Sequence, residues 1–366
     1  LVDIGDNDDR TIGLFGKPHI SNIAVAQIDL SGAARAFDNY RLIMGLQMME
    51  RVHHRPHHLW FVFVIGTGIH VRQRLTVHDH LRTDIDAAVA GWADAAVLRV
   101  DARGQVLMAD GRVVFNSTAD LGEQPPANAV FLGTVAGGRH VWAVRAPLAP
   151  PEDTDANVLD LRRGGTDFDD LSATLVATAT ALLNWHDNAR FSAINGAPTK
   201  VVKAGWSRID PVSGHEEFPR IDPAVICLVH DGADRVVLAR QAAWPPRMFS
   251  LLAGFVEAGE SFETCVAREI AEEVGLSVRD VRYLGSQPWP FPRSLMVGFH
   301  AVADPDQEFA FNDGEIVEAR WFTREQVRTA LSLGDWSSAE ASNSELLLPG
   351  SVSIAREIIE SWADPD

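Results

Sequence analysis

The sequence predicts a two-domain protein: a small N-terminal α+β domain, then a second domain that mixes strands with helices. Three observations carry this expectation. The chain has 366 residues, more than one ordinary core accommodates. Short apolar runs separated by turn residues occupy residues 96–148 and again 223–323, the pattern of strands. Each set is followed by a stretch of helical character, 170–191 and 351–362.

Residues 1–75 read as an N-terminal extension, with disorder as the expectation. They open on Leu1 and an acidic "DIGDNDDR", and carry a histidine cluster, "HHRPHH" (53–58). Four histidines offer metal ligands, but Pro56 breaks any helix there, so a solvated tail is the expectation. Residues 76–185 form the first domain. "LRTDIDAAVAGW" (81–92) predicts a short helix, and "AAVLRVD", "QVLMAD" and "RVVFNS" predict strands with "RG" and "DG" at the turns. A hairpin is expected around Gly137-Gly138, then a proline-rich acidic connection, "PLAPPEDTD" (147–155). "DLSATLVATATALLNWHDNARF" predicts a helix capped by Asp170 or Ser172.

Residues 186–220 read as a connector, loop-like from 192, and 221–362 as the second domain. "PAVICLVHDGADRVVLAR" (223–240) is a clear hairpin. "MFSLLAGF" (248–255), "LMVGFHAVA" (295–303) and "EARWFT" (318–323) are further strands, and "REQVRTAL" (324–331) and "SVSIAREIIESW" (351–362) are helices. "SQPWPFPRS" (286–294) fits no regular element, because three alternating prolines remove backbone donors and pin φ.

A formal net charge of −18 argues against a broad nucleic-acid surface and against an anionic membrane surface. Cys227 and Cys265 are the only cysteines, which excludes a disulfide framework and fits a reducing cytoplasm. The longest apolar run, 59–69, is far short of the roughly 20 residues that span a bilayer. A cytoplasmic protein with no membrane partner is expected.

The chemistry concentrates in "GFVEAGESFETCVAREIAEEVGL" (254–276). A glycine-bearing loop leads into a helix with Ser261 as N-cap and Gly275 as its stop. Phe262, Val266, Ile270 and Val274 recur every four residues and predict one buried stripe. Glu269, Glu272 and Glu273 share another face, close enough to repel. Arg268 pairs with Glu272 at i+4, yet one arginine does not neutralise three carboxylates. Hard divalent cations do, and they carry phosphate oxygens with them. The alternative is a solvated, salt-bridged helix face.

The spacing decides between these readings: Gly254, five residues, Glu260, seven residues, then "REIAEEVGL". This string resembles the Nudix box at every defined position. The resemblance implies a mixed-sheet α/β/α sandwich and metal-dependent hydrolysis of a nucleoside diphosphate linked to another moiety, with Mg²⁺ or Mn²⁺. Glu269 and Glu273 are then first-choice ligands, Glu272 a ligand or a helper of the base, and Arg268 a structural partner of Glu272. Glu257 and Glu260 orient the loop or bind an outer metal.

"SQPWPFPRS" starts ten residues past Leu276 and is similar to the signature of the NADH pyrophosphatase subfamily. Prolines give rigidity at low entropic cost, and aromatics give a stacking face for a planar base. Gln287, Pro288, Trp289, Pro290, Phe291, Pro292, Arg293 and Ser294 therefore resemble one wall of a dinucleotide pocket, with Gln287 and Ser294 as hydrogen-bonding members. By the same resemblance, the Ala253 carbonyl and Glu315 join the metal site, and Phe218, Phe255 and Ala355 contact substrate. The resemblance further implies a homodimer, cleavage of NADH or NAD⁺ to AMP and nicotinamide mononucleotide, and removal of an NAD cap from RNA. A Nudix diphosphatase acting on ADP-ribose or nucleoside triphosphates, or a catalytically silent NAD-sensing module, are the competing readings.

The sequence departs from the subfamily at its zinc ribbon. Aligned on Trp206 and Phe218, the four cysteine places fall on Ser192, Asn195, Asp210 and Ser213. Structural zinc needs Cys or His ligands, so no zinc is expected. The competing option, a weak metal at Asp210 and His215, is less expected than a hydrogen-bonded loop.

Overall fold

The computed structural model describes residues 62–63, 79–150, 155–164, 167–311, 314–334 and 344–364. All belong to one compact unit, 57–366. The acidic opening and the histidine cluster lie outside the described residues, as does part of the proline-rich connection.

A two-residue strand, β1 (Val62–Phe63), precedes two short helices, α1 (Asp79–Thr83) and α2 (Ile85–Ala90). Then come β2 (Ala96–Val100), β3 (Gln105–Ala109), β4 (Arg112–Val113), β5 (Val130–Thr134), β6 (His140–Arg145) and β7 (Asn157–Asp160). They form two small sheets, in the orders β2-β6-β5 and β4-β3-β7. Strand β7 lies just past the proline-rich connection, in a stretch for which no element was expected, and "RVVFNS" contributes only the two residues of β4. One helical turn, α3 (Leu161–Gly164), leads to the long helix α4 (Asp170–Asn188). Its N-cap is neither expected residue but Asp169, whose side chain accepts from the Ser172 amide.

Every residue of β2 and β5 is buried, so these strands read as apolar runs without alternation. On one face, Leu175, Val176, Leu182 and Leu183 of α4 pack on Leu98, Leu132 and Val141. On the other, Trp92 and Trp142 meet edge to face at 5.7 Å beside Phe131.

The connector is not a plain loop. It holds a small antiparallel sheet of β8 (Lys200–Val202), β9 (Ser207–Ile209) and β10 (Glu216–Glu217). Trp206 Nε1 donates to the Phe131 carbonyl at 2.7 Å, and Arg82 lies 3.3 Å over its ring. Gly205 runs so close to β5 that a Cβ would stand 2.8 Å from the Val130 Cα. Beneath it, buried Arg208 donates to Thr199 Oγ1 and to His186 Nδ1, at 2.7 and 3.0 Å. Arginine can only donate, so Nδ1 accepts and Nε2–H faces the Gly205 carbonyl at 2.8 Å. Burial and the neighbouring Arg208 lower the proton affinity of His186, in keeping with this neutral tautomer.

The second domain contains β11 (Asp222–His230), β12 (Arg235–Gln241), β13 (Leu252–Phe255), α5 (Phe262–Val274), β14 (Val278–Trp289), β15 (Ser294–Ala303), β16 (Ile316–Thr323), α6 (Arg324–Ser332) and α7 (Ile354–Ala363). The sheet order is β1-β14-β15-β11-β12-β16, with β13 on β11. β11 and β15 are parallel and the other pairs antiparallel, so the sheet is mixed. The period-two geometry of β11 divides the core. Val225, Cys227 and Val229 point to α5, while Ile226 and Leu228 point to α6 and α7. Helices therefore cover both faces, which is the expected α/β/α sandwich.

Strand β14 corrects the sequence reading. Ser286 to Trp289 continue a regular strand, with Pro288 opposite Leu295 and Trp289 opposite Ser294. Pro288 is tolerated because, among the described residues, β1 pairs only as far as Ser286, so no described strand asks Pro288 for a hydrogen bond on that side. Only Pro290–Arg293 form the turn, with a cis Phe291–Pro292 peptide.

Candidate active site

Strand β13 delivers the chain to the loop that opens α5. Ser261 caps the helix as expected, accepting from the Thr264 amide, and Gly275 ends it at φ 76°. Phe262 does not complete the buried stripe, since it is 39% exposed; Cys265 takes its place beside Val266, Ile270 and Val274.

Arg268 is the hub of the loop–helix junction. Its Nε and Nη2 grip both oxygens of Glu260, at 2.8 and 2.9 Å. Its Nη1 reaches Glu269 Oε1 and Glu272 Oε2, each at 2.9 Å, and Nη2 donates to the Phe255 carbonyl at 3.0 Å. The expected pair with Glu272 is present, but Glu260 holds the fork. Arg268 thus positions the acids. Its hydrogen bonds, with that of the Glu257 amide, hold the Glu260 carboxyl down at about 2.

The three box acids differ in setting. Glu273 is buried at 3% exposure, Glu269 is largely covered, and Glu272 is about half exposed. Burial raises the proton affinity of Glu269, against the pull of Arg268. Its carboxylate rests against Gly254, where a Cβ would come within 1.9 Å of it. The glycine is the cradle that lets this carboxylate reach the strand backbone next to Ala253, which pairs with Ile226. Glu315 stands at the start of β16 and accepts from Gln241 Nε2 at 2.8 Å. Among the described residues no three Asp, Glu, His or Cys side chains converge into a finished cation cage. Three carboxylates around one guanidinium, with Glu273 on the same helix, are nonetheless hard oxygen donors in excess negative charge, which suits a hard divalent cation.

The expected substrate wall is braced from several sides. Gln287 is fully buried, and both ends of its amide are engaged: Nε2 donates to the Val352 carbonyl and Oε1 accepts from the Ile354 amide. It ties β14 to the start of α7 and does not present hydrogen bonds to a ligand, which corrects the expected binding role. Ala355, in the first turn of α7, is likewise buried in the core. Arg293 pairs with Asp222 at 2.6 Å, and Asp222 also holds Arg220. Trp289 and Phe291 meet edge to face at 5.3 Å. Phe255 and Phe218 remain 59% and 60% exposed, with Lys203 lying 5.1 Å over the Phe218 ring. Sequence reasoning missed Asp222 and Asn184, whose Nδ2 donates to the Pro290 carbonyl at 3.3 Å. The only signal was a polar residue within the apolar stretch "ALLNW".

At the ribbon positions, Asp210 Oδ2 accepts from Asn195 Nδ2 at 2.6 Å and from Ser213 Oγ at 2.5 Å, and Oδ1 accepts from the Val212 amide. These bonds hold its carboxyl at about 2. A carboxylate with two facing donors stands at three of the four aligned positions.

Residues 220–342 match the NUDIX domain, and residues 90–185 match the NADH pyrophosphatase-like rudimentary NUDIX domain. A protein of Mycobacterium bovis named NAD-capped RNA hydrolase NudC is 72% identical over 287 residues, covering 78% of this chain and 91% of that protein. The chain belongs to the Nudix hydrolase family. A Mycobacterium tuberculosis protein of the same name matches with the same identity and coverage. A human protein, NAD(P)H pyrophosphatase NUDT13, mitochondrial, is 38% identical over 229 residues, 61% of this chain and 65% of that one. The matches to both domains place this chain in the NADH pyrophosphatase-like branch of the Nudix hydrolases, with a rudimentary NUDIX domain ahead of the full one.

Proposed function

We propose that this Nudix hydrolase cleaves the pyrophosphate of NADH and NAD⁺ to AMP and nicotinamide mononucleotide, and removes the same dinucleotide cap from RNA. The carrying observation is the 72% identity along 91% of proteins named NAD-capped RNA hydrolase, together with an intact set of box acids.

Glu269, Glu272 and Glu273, with the Ala253 carbonyl and Glu315, are the groups to hold Mg²⁺ or Mn²⁺. When bound, these ions neutralise the diphosphate and make water a stronger nucleophile. Arg268 fixes Glu260 and Glu269 relative to β13, so the acids are in place before substrate arrives. Glu272, half exposed and held through one oxygen, is placed to take the proton of the attacking water. Phe255 and Phe218 offer exposed rings to a planar base, and the rigid turn at Trp289–Phe291 closes one side. A net charge of −18 disfavours a broad RNA surface, so recognition of capped RNA rests on the dinucleotide end.

The chain acts in the cytoplasm as a homodimer. Supporting the dimer, the connector and the residue after it expose Phe191, Ile194, Val212, Phe218 and Ile221. The connector needs no zinc, since the Asp210 bonds supply its link.

Incubation with NADH and Mn²⁺ in ¹⁸O-labelled water, read by mass spectrometry, tests the reaction. AMP and reduced nicotinamide mononucleotide, with one ¹⁸O on a phosphate, are expected. Glu273→Gln should lose turnover and keep dinucleotide binding. Intact NADH with consumption of ADP-ribose or a nucleoside triphosphate would reassign the substrate. Binding without turnover in the unaltered protein would make it a sensor.

A further inference from the structure

The turn that follows Trp289 and carries Phe291 is poor in its own hydrogen bonds. Pro288, Pro290 and Pro292 have no N–H to donate, so the turn cannot satisfy its carbonyls internally. The Phe291 amide donates to the Trp289 carbonyl at 2.7 Å, and the Arg293 carbonyl accepts from the Asp222 amide at 3.0 Å. The Pro290 carbonyl is held from the other domain: Asn184 of α4 donates to it at 3.3 Å. Phe291 meanwhile packs against the core of the rudimentary domain.

The orientation of Asn184 is imposed. Arg145 Nη2 donates to Asn184 Oδ1 at 2.9 Å, which leaves only the amide nitrogen for Pro290. Arg145 is itself fixed by Asp187 Oδ2 at 2.7 Å and the Asp101 carbonyl at 2.7 Å. A chain of oriented groups thus runs from β6 through α4 to the aromatic turn.

We propose that Asn184, oriented by Arg145, is a positioning residue for the aromatic turn, so that the rudimentary domain sets the affinity of the catalytic domain for its dinucleotide. This rests on the reading that the turn lines an NADH pocket. Asn184 touches no reacting atom. Its loss should let the turn drift, weakening ground-state binding while leaving the Arg268–glutamate site unchanged.

The test is steady-state NADH hydrolysis by the full chain carrying Asn184→Ala, Asn184→Asp or Arg145→Ala, each with a melting curve. Asn184→Asp keeps an acceptor for Arg145 and loses the donor to Pro290. Loss of one hydrogen bond predicts a KM raised about threefold to tenfold, with kcat within about twofold. The Asn184→Ala/Arg145→Ala double variant should raise KM no further than either single change, because both act through one bond. An unchanged KM in Asn184→Asp, whatever happens to its melting temperature, overturns the proposal. A fall in kcat at constant KM does so too. Failure of the unaltered protein to cleave NADH would instead overturn the functional reading, and it is seen before any variant is compared.

Discussion

The Glu269 carboxylate occupies the space that a side chain on Gly254 would need. A Cβ there would lie 1.9 Å from the Glu269 Cδ. Glycine at this position is therefore a condition for Glu269 to reach the strand that bears Ala253, and the contact joins β13 to α5 at the chemical centre.

Gly254→Ala should push Glu269 off the strand and leave the fold standing, since the clash is with a movable carboxylate. A displacement near 1 Å at a reacting centre costs about a hundredfold in rate. We expect kcat on NADH to fall by about that factor, with the circular dichroism spectrum and NADH binding retained. Wild-type kcat in this variant would show that Glu269 is not needed where it lies.

Gln287→Ala separates a structural role from a binding one. It strands the buried Val352 carbonyl and Ile354 amide, at about 1–3 kcal/mol each. The melting temperature should drop by several degrees. KM measured well below the transition should change far less than in Asn184→Ala. A large KM increase without loss of stability would return Gln287 to the list of ligand contacts.

Asp210 gives a pH prediction for the connector. Its carboxyl is held at about 2, below the ordinary carboxylate value, by Ser213, the Val212 amide and Asn195. The folded state thus prefers the charged form. The stabilisation is present above pH of about 4 and is lost as pH falls through about 2. Asp210→Asn should melt lower than the unaltered protein at pH 7, and the gap should narrow by pH 3. A gap that stays constant with pH would exclude the carboxylate charge as its source.

His186 gives a second one, near neutrality. Its proton affinity is lowered in the folded state, so the unfolded chain binds the proton more readily. Stability is then full above pH of about 6.5 and declines as pH falls below it. Protonation also ends its acceptance from Arg208. His186→Gln should flatten part of the slope in denaturation midpoint between pH 7 and pH 5. His230 and His300, stacked at 5.4 Å and likewise lowered by burial, contribute to the slope in the same direction. An unchanged slope would remove His186 from this linkage.

The local signals were legible in the sequence, and the tertiary ones were not. Ser261 and Gly275 marked the ends of α5 because capping depends on a few neighbouring residues. The spacing of the box acids was equally readable, since helical geometry fixes which side chains meet. Strand β14 was missed because Pro288 reads as a breaker, and its tolerance depends on how far β1 extends. Gln287 was misread because its partners lie more than sixty residues away, at 352 and 354. Arg268 was matched to its i+4 neighbour, but the loop folds Glu260 back into its fork. The connector sheet was invisible because its strands are two or three residues long and show no periodicity.

Phe291 belongs by sequence to the catalytic domain and by packing to the core of its neighbour. The two domains are therefore not interchangeable modules. A catalytic half expressed alone would carry an orphaned aromatic, and a chimera joining halves from different relatives would set Phe291 into a seat shaped for another ring. Recombination that preserves this protein has to carry the ring and its seat together, which makes the boundary near residue 220 a poor place to cut.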